Sequence, residues 1–253
     1  MQYGLGHLSV IPVRETADPL ASMVSQILYG DVFKVREERK YFSRIQLVFD
    51  GFEGWVKNDQ FTKISEQDFL EISSAKEPYF NSDFLSYVTT KDNELLPVVM
   101  GSRLDPCFLL NHQCEEMAGL KAKADWKKSN LVETALLYLN SPFLSGGKTP
   151  FGIDSSGLTQ MVYKINGKKL LRTTEEQSKQ GEVLSFIEES EPGDLAFFDN
   201  ADGSINHVGI ILKDNYIIHA SGHVRIDRLD HTGIFNTDIR NYSHSLRVIK
   251  KVV

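Results

Sequence analysis

Over residues 8–64 apolar and polar positions alternate in short runs broken by turn residues. Val32-Phe33-Lys34-Val35 and Phe42-Ser43-Arg44-Ile45-Gln46-Leu47 have the two-residue period of half-buried strands. Asp50-Gly51 supplies a hairpin turn leading into Gly54-Trp55-Val56. The pattern predicts a small all-β barrel module over residues 1–64. Residues 65–125 are less periodic, with a short helix predicted over Glu66–Ile72 and a strand and turn over Leu95–Ser102. They read either as a second, degraded barrel or as an irregular linker packed on its neighbours.

From Asn130 the apolar period lengthens. Asn130 and Glu133 are spaced as a helix-capping pair, and Leu131, Ala135, Leu136 and Leu139 share a helical face until Pro142. Leu158, Met161, Val162 and Ile165 fall at i, i+3, i+4 and i+7 of a second helix, with Asn166-Gly167 as its stop. Thr173 and Glu176 cap a short third helix. After Pro192-Gly193-Asp194, strands are predicted at Leu195–Phe198, His207–Leu212, Tyr216–Ala220, Val224–Arg228 and Leu246–Lys250. Helices first and antiparallel strands second predict an α+β domain over residues 126–253, so the chain reads as multidomain.

Composition narrows the function classes. A chain of 253 residues, 41% hydrophobic, buries at least one sizeable core. The net charge of −6 and the lack of a basic block beyond LRVIKK disfavour a nucleic-acid partner, because backbone binding needs concentrated positive charge. No run reaches the roughly 18–20 apolar residues of a membrane span, and the start MQYGLGHLSVIPVRE lacks a leader pattern. The sequence as it stands therefore predicts a cytoplasmic protein, or a periplasmic or extracellular one if a leader has been removed. Cys107 and Cys114 lack metal-site spacing and are expected to be reduced and structural.

The stretch KTPFGIDSSGL, residues 148–158, combines a turn with a helix start. Free backbone N–H groups and the helix dipole at such a start favour a developing negative charge at positions 155 and 156. The plainer role for Asp154 or Ser155 is an N-cap. His207 opens one apolar strand and His219 closes the next, around a turn near Asp214-Asn215. Antiparallel pairing then brings both imidazoles to one end of a sheet. A helix-start nucleophile with a base and an orienting residue is the arrangement of a papain-like scaffold.

Gly146 to Asp154, Ser156-Gly157, Pro192 to Phe198, His207-Val208-Gly209-Ile210 and Ile218-His219-Ala220-Ser221 resemble, in order, the motifs of the NlpC family of cell-wall cysteine peptidases. Pro12-Val13-Arg14, Ser25 to Asp31 and Asp50 to Val56 resemble the bacterial Src-homology-3 type barrel found beside such enzymes. Together they are similar to the dipeptidyl-peptidase VI branch. That resemblance implies hydrolysis of the γ-D-glutamyl to diamino-acid amide bond in peptidoglycan-derived peptides with a free N-terminal L-alanine, without metal or cofactor. It places the nucleophile at Ser155, the general base at His207 and the orienting residue at His219. Asp154 and Ser156 fall where the substrate's amino end is held, and Thr174 on a hydroxyl of the substrate pocket. The first barrel is expected to wall off one end of the cleft.

Three positions depart from the family pattern. Ser155 stands where the family has cysteine, and Phe143 and Ser145 stand in the Tyr-x-Trp-Gly-Gly segment. A serine hydroxyl lacks the acidity of a thiol, whose pKa of about 8.5 a nearby imidazolium lowers. Phe143 lacks a phenolic hydroxyl for the oxyanion, and losing one such donor costs about 100- to 1000-fold. Ser145 removes an aromatic wall. The expected activities are therefore a weakened hydrolase or, alternatively, a muropeptide-binding pseudo-enzyme.

Overall fold

The computed structural model describes residues 1–75, 78–114, 119–121 (backbone only) and 127–253. The chain divides into two compact units, Met1–Ala124 with Ser145–Pro150, and Asp125–Leu144 with Phe151–Val253.

In the first unit, β1 (Gln2–Gly6), β2 (Val10–Arg14), β3 (Met23–Leu28), β4 (Val32–Glu38), β5 (Phe42–Leu47), β6 (Glu53–Lys57) and β7 (Phe61–Ile64) form one antiparallel sheet, in the order β3-β2-β6-β5-β4-β1-β7. Their inward positions, among them Ile11, Val13, Ile27, Phe33, Ile45, Val56 and Phe61, make a continuous core. This is the expected all-β, Src-homology-3-like part. β1 was not legible because Gly4 and Gly6 interrupt its alternation. Gly4 is needed there, since a Cβ at that position would lie 2.3 Å from the Phe33 ring.

Ser65 caps α1 (Glu66–Ser74), its hydroxyl accepting from Asp68 N at 3.1 Å. The buried face of α1, Phe69 and Ile72, packs with Tyr3, Leu5 and Val32. Beyond it, β8 (Tyr79–Asn81), β9 (Leu85–Thr89), β10 (Leu95–Val99) and β11 (Gly119–Lys121) pair as two ladders, β9 with β10 and β8 with β11. Val88, Val98 and Leu104 bury Tyr29 of the barrel, and Arg103 N donates to Tyr29 O at 2.8 Å. Cys107 and Cys114 border this cluster as free thiols.

The second unit opens with α2 (Ser129–Leu137). Its N-cap is Lys128, without a side-chain bond, so the Asn130–Glu133 pair does not cap it. Its buried face is Leu131, Thr134, Ala135 and Tyr138, whereas Leu136 and Leu139 are exposed. The expected stripe was therefore rotated by one position. After the two-residue strands β12 (Lys148–Thr149) and β13 (Gly152–Ile153) comes α3 (Ser155–Ile165), all of whose residues are buried. Gly167, at φ +72°, ends it and donates to Lys164 O at 2.9 Å. α4 (Thr174–Ser178) carries the full Thr173–Glu176 capping box.

β14 (Glu182–Leu184), β15 (Leu195–Asp199), β16 (Ile205–Ile211), β17 (Tyr216–Ser221), β18 (His223–Leu229), β19 (Gly233–Asn236) and β20 (Asn241–Lys251) follow in the sheet order β14-β20-β15-β16-β17-β18-β19. β19 also pairs with β20, which closes a ring of strands from β15 to β20. Helices followed by an antiparallel barrel make this the papain-like α+β part. The β16–β17 turn has Asp214 and Asn215 at φ 58° and 59°, the left-handed pair of a type I′ hairpin.

Two buried tyrosines test the polar accounting of this unit. Tyr163 donates to Gly193 O at 2.7 Å, whereas the Tyr138 hydroxyl has no partner among the described residues. In urea unfolding, Tyr163→Phe is expected to lose about 1 kcal/mol, while Tyr138→Phe is neutral or stabilising. Equal losses in both variants would contradict this accounting.

Candidate active site

β16 and β17 register with Gly209 opposite His219, so His207, two residues before Gly209, is the diagonal neighbour of His219 on the same face. A Cβ at Gly209 would lie 2.7 Å from Ile217 Cδ1, so glycine leaves room for β17 to pack at this point. His207 Nε2 lies 2.8 Å from His219 Nδ1. On the other side of β17, His219 faces Arg225 and Ile217 faces Asp227. The next diagonal then brings Asp227 Oδ2 to 3.0 Å from His219 Nε2. The result is a line from His207 through His219 to Asp227, with the three residues 5%, 0% and 3% exposed. Arg225 closes the far end, its Nη2 donating to Asp227 Oδ1 at 3.0 Å and its Nε 2.6 Å from Oδ2.

Ser155 is the first residue of α3, which packs against β16 and β17. Among the described residues its hydroxyl has no hydrogen-bond partner. Asp154 is the N-cap: Oδ1 accepts from Gly157 N at 2.6 Å and from the Ser156 hydroxyl at 3.2 Å. The buried Arg172 guanidinium donates to Asp154 Oδ1 and Oδ2 at 3.1 and 2.7 Å and to Ser156 Oγ at 2.8 Å. Gln177, fully buried, donates to Ser156 O at 3.0 Å and to Leu171 O at 2.9 Å. This web ties the start of α3 to the segment leading into α4. Thr174 Oγ1, at the start of α4, donates to Ile205 O at 3.3 Å, next to the His207 end of β16. Phe143 bridges in parallel to Ile153 and is 45% exposed. Ser145 is exposed and falls in the first unit.

Four residues of this neighbourhood were not among the expected site positions: Asp227, His244, Arg172 and Gln177. Arg172 and Gln177 sit five apart around a capping box, a spacing without an obvious chemical signature. Asp227 lies in HVRIDRL, whose charges read as a solvent-facing strand. His244 comes from the polar start of β20 and stacks on His207 with ring centroids 4.0 Å apart and planes at 23°.

Burial is the first cause that depresses the pKa of His207, His219 and His244 below the ordinary 6.5. For His207 the neighbouring charges of His244 and His219 act in the same direction. For His219 burial outweighs the opposing pull of Asp227, and His244 falls to about 4. Burial would raise Asp227, but hydrogen bonds from His219 and Arg225 overcome it and hold the carboxyl below its ordinary value. The imidazoles are thus neutral near pH 7, and Asp227 is ionised.

The ring nitrogens of His207, His219 and His244 lie within 4.8 Å of one another, close enough to raise the question of a metal. Stacked rings direct their in-plane lone pairs side by side rather than toward one point, and both His219 nitrogens already have partners. The arrangement suits proton movement along a line better than tetrahedral ligation.

Residues 140–241 match the NlpC/P60 family, and residues 13–61 match the bacterial dipeptidyl-peptidase SH3 domain. A γ-D-glutamyl-L-lysine dipeptidyl-peptidase of Bacillus subtilis is 28% identical over 220 residues, spanning 78% of this chain and 71% of the relative. Dipeptidyl-peptidase 6 of Lysinibacillus sphaericus is 36% identical over 108 residues, 41% of this chain and 37% of its own. The crystal structure of an NlpC/P60 family protein from Bacillus cereus shares the fold over 99% of both chains, with a TM-score of 0.79 at 18% identity. No helix among the described residues is long and apolar enough to cross a membrane.

Unfolded imidazoles protonate near 6.5, while the buried ones do so only at lower pH. Between those values the unfolded state binds more protons. Stability is therefore complete above 6.5 and is lost as pH falls, by up to about 1.4 kcal/mol per pH unit for each histidine kept neutral. Denaturant titrations of the full chain are expected to show this decline from pH 6.5 toward 4.5, with a shallower slope in His244→Phe. A slope unchanged by that substitution would contradict the assignment.

Proposed function

Starting from a chain with an NlpC/P60 domain behind a bacterial dipeptidyl-peptidase SH3 domain, we propose that it acts on peptidoglycan stem peptides, at the amide bond between γ-D-glutamate and the diamino acid. The observation that carries this reading is the buried line His207–His219–Asp227 on strands packed against the helix that Ser155 begins. In it His207 is the general base, His219 orients the ring, and the α3 N-terminus, with its free N–H groups and dipole, receives the oxyanion. Hydrolysis proceeds through an acyl-enzyme on residue 155. Asp154, Ser156 and Thr174 line the peptide's amino side, Asp154 with its charge shared with Arg172. Phe143 forms the reduced wall of the substrate cleft. The same proposal assigns residues 1–64 to the barrel, 65–125 to a second degraded barrel or packed linker, and 126–253 to the peptidase. The relatives support the substrate class: one is a γ-D-glutamyl-L-lysine dipeptidyl-peptidase, another a dipeptidyl-peptidase 6.

A second reading has its own support. The Ser155 hydroxyl makes no hydrogen bond to the base, and a hydroxyl without that contact is a poor nucleophile. Under this reading the chain binds muropeptides and releases them uncut.

Incubation with L-Ala-γ-D-Glu-L-Lys and chromatography of the products separates the two. The unmodified chain is expected to cut slowly or not at all, and Ser155→Cys at least about 100-fold faster. Calorimetric binding of the tripeptide with no cleavage by either protein would support the binder. Neither binding nor cleavage would refute the proposed substrate.

A further inference from the structure

We propose that Asp227, held by Arg225, is a positioning residue that sets which nitrogen of His207 carries a proton. Its relevance to catalysis rests on the function proposed above; the proton order itself rests on geometry alone. An ionised carboxylate only accepts hydrogen bonds, so His219 must present Nε2–H to Asp227 Oδ2, 3.0 Å away. The single proton of neutral His219 is thereby committed, and its Nδ1 becomes an acceptor. His207 Nε2, 2.8 Å from that atom, must then be the donor. His207 Nδ1 is left with its lone pair, ready to take a proton. The opposite order would set a nitrogen lone pair against a buried carboxylate, with both groups unsatisfied.

Arg225 makes this order one-sided. Its guanidinium lies on the same face as Asp227, two residues earlier on β18, and contacts both carboxylate oxygens. It also reaches Asp238 Oδ2 at 2.8 Å, which anchors it from the loop after β19. A charge at position 227 otherwise sits in an apolar row: its cross-strand partner is Ile217, and Leu229 follows it on the same face. Burying a carboxylate there without a purpose for its charge is unfavourable. Neutral asparagine would preserve the shape and not the polarity.

Arg225 contacts both carboxylate oxygens, so in Asp227→Asn either amide orientation sets the NH2 against a guanidinium N–H, and Asp227→Leu separates the charge from the packing more cleanly. Without an acceptor at position 227, nothing commits the His219 proton to Nε2, and His207 is released to carry its proton on either nitrogen. The experiment is long-range ¹⁵N–¹H NMR of the imidazoles in the full-length ¹⁵N-labelled chain at pH 7.5. The expected result is Nε2–H on both His207 and His219 in the unmodified protein and a mixture of Nε2–H and Nδ1–H on both in Asp227→Leu.

A His207 Nδ1–H tautomer in the unmodified protein would overturn the proposal even if the variant fails to fold. So would unchanged tautomers in a folded variant. In the Ser155→Cys background, adding Asp227→Leu is expected to lower kcat for the tripeptide about 10-fold or more with KM nearly constant, because the base then spends much of its time with a proton pointed at the nucleophile. If Ser155→Cys itself cuts nothing while the tautomers are as expected, the proton order stands and the peptidase reading fails.

Discussion

The second unit of this chain is organised by one constraint, a carboxylate buried beside an imidazole at the end of a closed sheet. Asp227 is 3% exposed, and an isolated charge at that depth would be strongly unfavourable. It is tolerated because His219 and Arg225 contact it from two sides. That requirement fixes the register: β17 and β18 must pair with Ile217 opposite Asp227, and β16 must place glycine opposite His219. A slip of one residue would move every member of the line to the other face. The apolar members of the same face, Ile211, Ile217, Leu229 and Ile249, supply the burial that holds the register in place.

The helix side obeys a different rule. α3 begins where Asp154 caps Gly157 N and is itself gripped by Arg172, so the position of residue 155 is set by a web of charged and amide side chains. The same web shares the charge of the Asp154 carboxylate with Arg172. The chain thus keeps a rigid helix start and a rigid base. Between them stands the hydroxyl of Ser155.

Much of this was legible along the chain. The strand pair carrying His207 and His219 is marked by apolar runs on both sides of Asp214-Asn215, a left-handed turn that asparagine and aspartate tolerate. The capping box at Thr173 and the stop at Gly167 follow local rules that tertiary contacts do not override. Asp227 and His244 were not legible, because HVRIDRL and NYSHSLR alternate charge and polarity like solvent-facing strands. They are drawn in because β19 returns to β20 and closes the ring, a long-range pairing that no local period announces. β1 was hidden for the opposite reason: its glycines make room for Phe33 and Ile27 and weaken its strand signature. The stripe of α2 was misplaced by one position because its exposed side is also leucine-rich, with Leu136, Leu137 and Leu139 facing outward.

The proposed reading requires a working base and helix start beside residue 155, so that a thiol placed there is acidic. Substituting cysteine reads this directly. In Ser155→Cys, the pH dependence of alkylation at position 155 by iodoacetamide, resolved by peptide mass spectrometry from Cys107 and Cys114, reports the pKa of the new thiol. An intact base and helix dipole are expected to bring its half-point below about 7, whereas a half-point near the ordinary value of about 8.5 would contradict the claim.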